Sequence, residues 1–190
     1  MEAFLSSTLA VAIAEIGDKT QLLALFLAAK YGRPYLISLG VLIATVINHG
    51  LSAWLGALLA DLVPVEWVRW IISGSFFAIA LWLLIPDKEE DDMGRFTQYG
   101  PFAATLVLFF LAEIGDKTQI ATVILAAKFS ADAWMTAMVI AGTTFGMLLA
   151  NVPIIFAGKW LMDKLPLGFA HKAACILFIA LGIATLVGMG

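Results

Sequence analysis

Residues Glu15–Gln21 read E-I-G-D-K-T-Q, and the same seven letters return at Glu113–Gln119. The match widens to Ala14–Lys30 against Ala112–Lys128, each stretch closing on L-A-A-K, at an offset of 113 − 15 = 98 in a chain of 190 residues. A repeat at about half the chain length is an internal duplication, and missing it would misread the fold.

The duplicated halves are written in apolar residues. The chain is 62% hydrophobic and 13% charged, with a mean hydropathy of +0.99. A soluble domain runs at about 45–50% apolar and about 25% charged, so this chain lacks the polar residues to cover a water-facing surface. That excludes a disordered segment, a nucleic-acid-binding module and an ordinary cytosolic enzyme; the surroundings must be lipid. A membrane helix needs about 20 apolar residues, which leaves room for six or seven. A transmembrane barrel needs period-two alternation, and runs such as Trp67 to Pro86 do not have it.

Breakers at Gly32-Arg33-Pro34, Pro64, Pro86, Gly100-Pro101, Asp132 and Pro166-Leu167-Gly168 divide the apolar runs. Helices are expected near 4–28, 35–60 and 67–86, then near 101–127, 133–158 and 168–189. Three helices per copy is an odd number, so the second copy must enter the membrane from the opposite side. The expected fold is an all-α membrane protein, six transmembrane helices in a 3+3 inverted repeat, with its site at the midplane. Its divisions are a first repeat over 1–86, an acidic linker over 87–99 and a second repeat over 100–190.

Lys30, Arg33, Lys88, Arg95, Lys159, Lys164 and Lys172 fall on one face of that topology, and only Arg69 and Lys128 on the other. The positive-inside rule makes the first face cytoplasmic, with both termini outside and the chain multi-pass in the inner (plasma) membrane. The start, Met1-Glu2, has no basic n-region, so Phe4 onward reads as a retained helix. The run Asp87-Lys88-Glu89-Glu90-Asp91-Asp92 reads as a solvated cytoplasmic linker. Cys175 alone allows no disulfide framework and no cysteine cage.

Glu15 lies about eleven residues into the first helix, near mid-bilayer at about 1.5 Å per residue, and Glu113 at a similar depth in the fourth. Each ionised group there costs at least about 2.5–3.5 kcal/mol, so something must offset two copies of Glu, Asp and Lys. On one continuous helix Glu15, Asp18 and Gln21 are i, i+3 and i+6 and share a face, as do Glu113, Asp116 and Gln119. Facing each other, the two copies supply four carboxylates and two amides, an all-oxygen cage. Such ligands suit hard divalent cations, Ca²⁺, Mn²⁺ and Mg²⁺, over Cu⁺ or Zn²⁺. Four carboxylates less two lysines leave −2, matched by one divalent ion. Without that ion the cluster is relieved by taking up protons, so metal and protons compete, the physical basis of antiport.

The blander reading is structural: Glu15–Lys19 and Glu113–Lys117 are i,i+4 pairs. It leaves the duplicated aspartates unexplained. Gly17 and Gly115 serve close helix approach or open the helix to expose carbonyls, the former being the expectation. Thr20 and Thr118 bond back to the preceding turn. Lys19 and Lys117 act as counter-ions or as tethered cations. Asn48 and Asn151, at similar places in the second helix of each copy, are interhelical hydrogen-bonders or ligands in equal measure. His49, with no partner at offset 98, reads as a lone helix-interface histidine, and Trp54, Trp67, Trp70 and Trp82 as interface or packing residues.

The paired motifs Glu15-Ile16-Gly17-Asp18-Lys19-Thr20 and Glu113-Ile114-Gly115-Asp116-Lys117-Thr118 resemble those of the Gdt-type cation transporter family, marked by duplicated E-x-G-D-[KR]-[TS]. The likeness covers essentially the whole chain, and its compact length is similar to the bacterial manganese-exporter branch. The resemblance implies export of Mn²⁺, or Ca²⁺, from the cytoplasm in exchange for protons, with Na⁺ the other candidate coupling ion. It implies no prosthetic group and no nucleic acid; the partners are the metal substrate, the counter-ion and the bilayer. The four acidic residues carry over from the motif.

Three rival readings come from other classes. An intramembrane aspartyl protease also uses two membrane aspartates, but its dyad needs one ionised and one protonated carboxyl, and both aspartates here sit in identical contexts. A passive divalent-cation channel uses acidic rings without metal–proton exchange. An organic-cation exporter would set aromatic faces beside the carboxylates, and the motif contains none.

Overall fold

The computed structural model describes residues 1–62, 64–82, 97–129, 132–158 and 167–188. Over these the chain is all-helical: α1 Glu2–Ala14, α2 Lys19–Tyr31, α3 Pro34–Leu62, α4 Val65–Trp82, α5 Gly100–Glu113, α6 Lys117–Lys128, α7 Ala133–Ala157 and α8 Leu167–Gly188, with a 3₁₀ turn at Thr97–Tyr99. The acidic run Asp87–Asp92, and Lys88, Arg95, Lys159 and Lys164 of the orientation count, lie outside the described residues.

The first and fourth expected helices are each two helices. α1 stops at Ala14 and α2 starts at Lys19; α5 stops at Glu113 and α6 starts at Lys117. Apolar runs flank each E-I-G-D-K-T-Q motif on both sides, which is why the expected spans bridge the breaks. What stops the helix is glycine. Gly17 and Gly115 have φ of 86° and 75°, the left-handed region that other residues enter at a cost of roughly 1–2 kcal/mol. A Cβ on Gly115 would meet nothing within 4 Å, so that glycine is there for its backbone conformation rather than for close packing, correcting the expectation.

α3 and α7 are long and apolar enough to cross a membrane. α1 packs along α7, α3 along α5 and α6, and α4 against α8. The packing is reciprocal between the copies. A Cβ on Gly40 of α3 would press on Thr105 and on the Phe102 carbonyl of α5, and one on Gly142 of α7 would press on the Phe4 carbonyl and Ser7 of α1. Phe102 and Thr105 are Phe4 and Ser7 moved by the repeat offset of 98. Thr8 ties the second contact by donating to the Gly142 carbonyl at 3.1 Å.

Val11, Leu27, Ile37, Val41, Phe109, Met147 and Ile154 belong to one buried cluster that joins elements of both copies. The outer faces are apolar as well: Leu51, Trp54, Leu55, Leu58, Trp67, Trp70, Trp134, Phe145 and Leu149 are exposed. A contiguous apolar exterior is unstable in water and suited to lipid, and the exposed tryptophans are the residues favoured at membrane–water boundaries.

Candidate cation site

The two breaks carry the repeated motif and share one local design. Glu15 and Glu113 end α1 and α5. Asp18 and Asp116 cap α2 and α6, each carboxylate accepting from the backbone N–H two residues on, at 3.4 Å from Thr20 and 3.5 Å from Thr118. The Asp18 and Asp116 N–H groups donate to the Glu15 and Glu113 carbonyls at 3.1 and 3.2 Å, closing a tight turn. Three residues past each capping aspartate, Gln21 and Gln119 accept from the Gly17 and Gly115 N–H groups at 2.8 and 2.6 Å. This is a variant of the capping box, in which the third helical residue reaches back to the chain just before the helix.

Sequence spacing placed Glu15, Asp18 and Gln21 on one helix face. They occupy no common helix: Glu15 follows the end of α1, while Asp18 and Gln21 are the cap and third residue of α2. The glutamine carbonyl oxygens are already engaged by the glycine N–H groups, and the Gln21 amide donates to the Ala150 carbonyl at 3.1 Å. Thr20 and Thr118 bond back across the break, donating to Glu15 Oε2 at 2.7 Å and Glu113 Oε2 at 2.9 Å.

The breaks meet. One carboxylate oxygen each from Glu15, Glu113 and Asp116 lies within 4.8 Å of the other two, and all three residues are buried. Asp18 is buried as well but stands outside that trio. Lys19 of the first copy pairs with Asp116 of the second, Nζ to Oδ1 3.4 Å. Lys117 is buried at the start of α6. Asn151 of α7 donates to Glu15 Oε2 at 3.5 Å and to the Met147 carbonyl at 3.2 Å. Asn48 of α3 donates to the Phe110 carbonyl at 3.1 Å, an interhelical hydrogen bond.

Several buried atoms have no hydrogen-bond partner: Glu15 Oε1, Glu113 Oε1 and Asn151 Oδ1 at this point, and both ring nitrogens of His49 on α3. A buried polar group left unmade costs about 1–3 kcal/mol, more when charged. Oxygens from three converging carboxylates, two of them glutamates each with an unbonded oxygen, could hold a hard divalent cation. The C-terminal ends of α1 and α5, the negative ends of their dipoles, abut the same place and favour positive charge.

A model of the divalent cation/proton antiporter family GDT1 matches residues 3–91 and 101–190. The chain belongs to the GDT1 family. One copy of the repeated motif falls in each matched stretch. A Vibrio cholerae protein named "Putative manganese exporter" is 49% identical over 185 residues, 97% of this chain and 90% of the relative. GDT1-like protein 5 of Arabidopsis thaliana is 26% identical, covering 98% of this chain and 96% of the relative, and GDT1-like protein 4 of indica rice 25%, covering 97% and 73%. No solved structure matches the chain. GDT1 is a family of cation transporters, not of enzymes, which sets aside the protease reading; membership and the lipid-suited exterior make this a membrane protein.

Proposed function

We propose that the protein exports Mn²⁺ from the cytoplasm in exchange for protons, Ca²⁺ being the competing substrate, by exposing one carboxylate site alternately to each side of the membrane. The observation that carries this is the convergence of Glu15, Glu113 and Asp116 oxygens within 4.8 Å, from helix breaks in both copies. A site shared between halves changes its exposure when the halves rock, which a site inside one half does not.

The reading takes the chain as six spans in a 3+3 inverted repeat, the broken pairs α1–α2 and α5–α6 each counting as one. Its support is the reciprocal packing: α3 runs parallel to α5–α6, with Gly40 beside Phe102 and Gly56 beside Val123, and α7 runs parallel to α1, with Gly142 beside Phe4 and Gly146 beside Thr8. Spans that run parallel start from the same side, as they do when both termini are outside and the 87–99 linker is cytoplasmic.

Glu15, Glu113 and Asp116 take the ion in this scheme, and Asp18 joins them as the halves move. Gln21 and Gln119 hold the glycine turns rather than the metal, because their oxygens are engaged. Lys19 holds Asp116 between turnovers. Protons neutralise the carboxylates on the return step, and two per divalent ion make the cycle electroneutral. The test is purified protein in liposomes. An imposed pH gradient should drive Mn²⁺ movement in either direction, set by the sign of the gradient. Mn²⁺ flux that ignores the pH gradient but follows its own gradient is the channel's result and removes the antiport.

A further inference from the structure

Sequence alignment at the repeat offset leaves His49 without a counterpart. The packing gives it one. Gly40 meets Phe102 and Thr105 as Gly142 meets Phe4 and Ser7, so α3 and α7 correspond at an offset of 142 − 40 = 102, four more than the motifs. Gly56 and Gly158 correspond at the same offset. His49 lies nine residues after Gly40 and Asn151 nine after Gly142; Glu113 lies eleven after Phe102 and Glu15 eleven after Phe4. Asn151 therefore stands to Glu15 as His49 stands to Glu113, and Asn151 reaches Glu15 at 3.5 Å. Asn48, the expected match of Asn151, corresponds instead to Ala150.

His49 is fully buried with neither ring nitrogen bonded, Glu113 Oε1 is unbonded too, and His49 stands outside the trio of oxygens that lie within 4.8 Å of one another. Its neighbours do not use it: Asn48 donates to Phe110, and Ser52 donates to the Asn48 carbonyl at 2.8 Å. A packing role alone asks for an apolar residue here, because burying two unpartnered polar atoms carries a penalty.

We infer that His49 offers an imidazole nitrogen to the shared carboxylate site and so biases it towards Mn²⁺ over Ca²⁺, an assignment that rests on the transport reading above. Ca²⁺ takes oxygen ligands, whereas imidazole suits first-row transition metals. The motifs are identical in the two copies, so they supply oxygen alone. His49 against Asn151 is a position where the copies differ in ligand chemistry, nitrogen against oxygen, and selectivity between these ions enters there. The Asn151 oxygen, unpartnered, supplies the matching oxygen from the other side.

Two measurements test this. In Mn²⁺-loaded wild-type protein in detergent, electron spin echo modulation should show a nitrogen coupled to the metal. Labelling with ¹⁵N-histidine should convert its frequencies; the chain has two histidines, and His171→Asn should keep the signal while His49→Asn abolishes it. In liposomes His49→Asn, which makes the two copies alike, should lower the Mn²⁺/Ca²⁺ ratio of kcat/KM by about tenfold, through the KM for Mn²⁺. Bound Mn²⁺ without nitrogen coupling overturns the inference and leaves transport standing, as does a variant that slows both ions equally. Wild-type protein that moves no divalent cation sinks both. The labelled wild-type measurement needs no variant to fold.

Discussion

Lys19 and Asp116 belong to different copies of the repeat, and the ammonium of one lies 3.4 Å from the carboxylate of the other. The pair spans the boundary between the halves at the point where the carboxylates gather. Asp116 is 5% exposed and Lys19 19%, so screening by water is weak and the pair matters more than a surface bridge. A divalent ion that uses Asp116 has to displace the lysine. Lys19→Gln should therefore tighten Mn²⁺ binding by about tenfold, about 1.4 kcal/mol, while lowering the maximal exchange rate, because the ammonium that competes with the ion for Asp116 and speeds its release is gone. Tryptophan-fluorescence titration and liposome flux measured on the same preparation check the two halves of this expectation. Weaker Mn²⁺ binding in the variant would show that Lys19 supports the bound state instead.

Removing charge from the trio is expected to be severe. Glu15→Gln and Asp116→Asn keep the shape of each side chain and delete the ligand's charge. Losing one member of a buried charged set costs about 3–5 kcal/mol, so Mn²⁺ exchange should fall at least about a hundredfold in either variant. Gln119→Glu makes a useful contrast: it adds charge beside the Gly115 turn without supplying a member of the trio, and should not rescue Glu113→Gln. Exchange in Glu15→Gln vesicles equal to wild type would remove the shared site.

The direction of the pH effect follows from competition. A protonated carboxyl cannot ligate the ion as a carboxylate does, so acidifying the side from which Mn²⁺ binds should raise its apparent KM. Acidifying the opposite side should accelerate release and raise the flux. At two protons per ion, clamping the membrane potential with a potassium ionophore should leave the rate unchanged at a fixed pH gradient. A strong voltage response would mean another stoichiometry.

The sequence made the duplication, the acidic motif and the apolar runs legible, since each is written in residue identity. It hid the breaks at Gly17 and Gly115. Apolar residues lie on both sides of Glu15–Gln21, and the i, i+3 spacing of Glu15 and Asp18 is what one continuous helix would show. The signal that could have revealed them was local: an aspartate at a capping position with glutamine three residues later, Asp18 to Gln21 and Asp116 to Gln119, is a helix start. Apolar residues on both sides of each motif mask it. The correspondence of His49 with Asn151 was hidden for another reason. Gly142 follows Asp116 by 26 residues where Gly40 follows Asp18 by 22, so the second copy has gained about one helical turn. Residue-by-residue comparison at a fixed offset then pairs the wrong positions, and only the helix contacts restore the register.

The breaks themselves are testable without any metal. Gly115 has φ of 75° and open space where a Cβ would sit, so Gly115→Ala introduces no clash and isolates the backbone term. Holding alanine in the left-handed region costs roughly 1–2 kcal/mol, and relaxing it draws residues 114–116 towards the helix that their flanks already form. That relaxation removes the Gln119 bond to the Gly115 N–H at 2.6 Å and the Asp116 cap on α6, and it turns Glu113 away from Glu15. Gly115→Ala should thus keep or raise helical content by circular dichroism while lowering Mn²⁺ exchange at least about tenfold. Gly115→Asn, a residue that tolerates the left-handed region, should recover part of that loss. An alanine variant that transports like wild type would show that the left-handed turn is not what brings the two glutamates together.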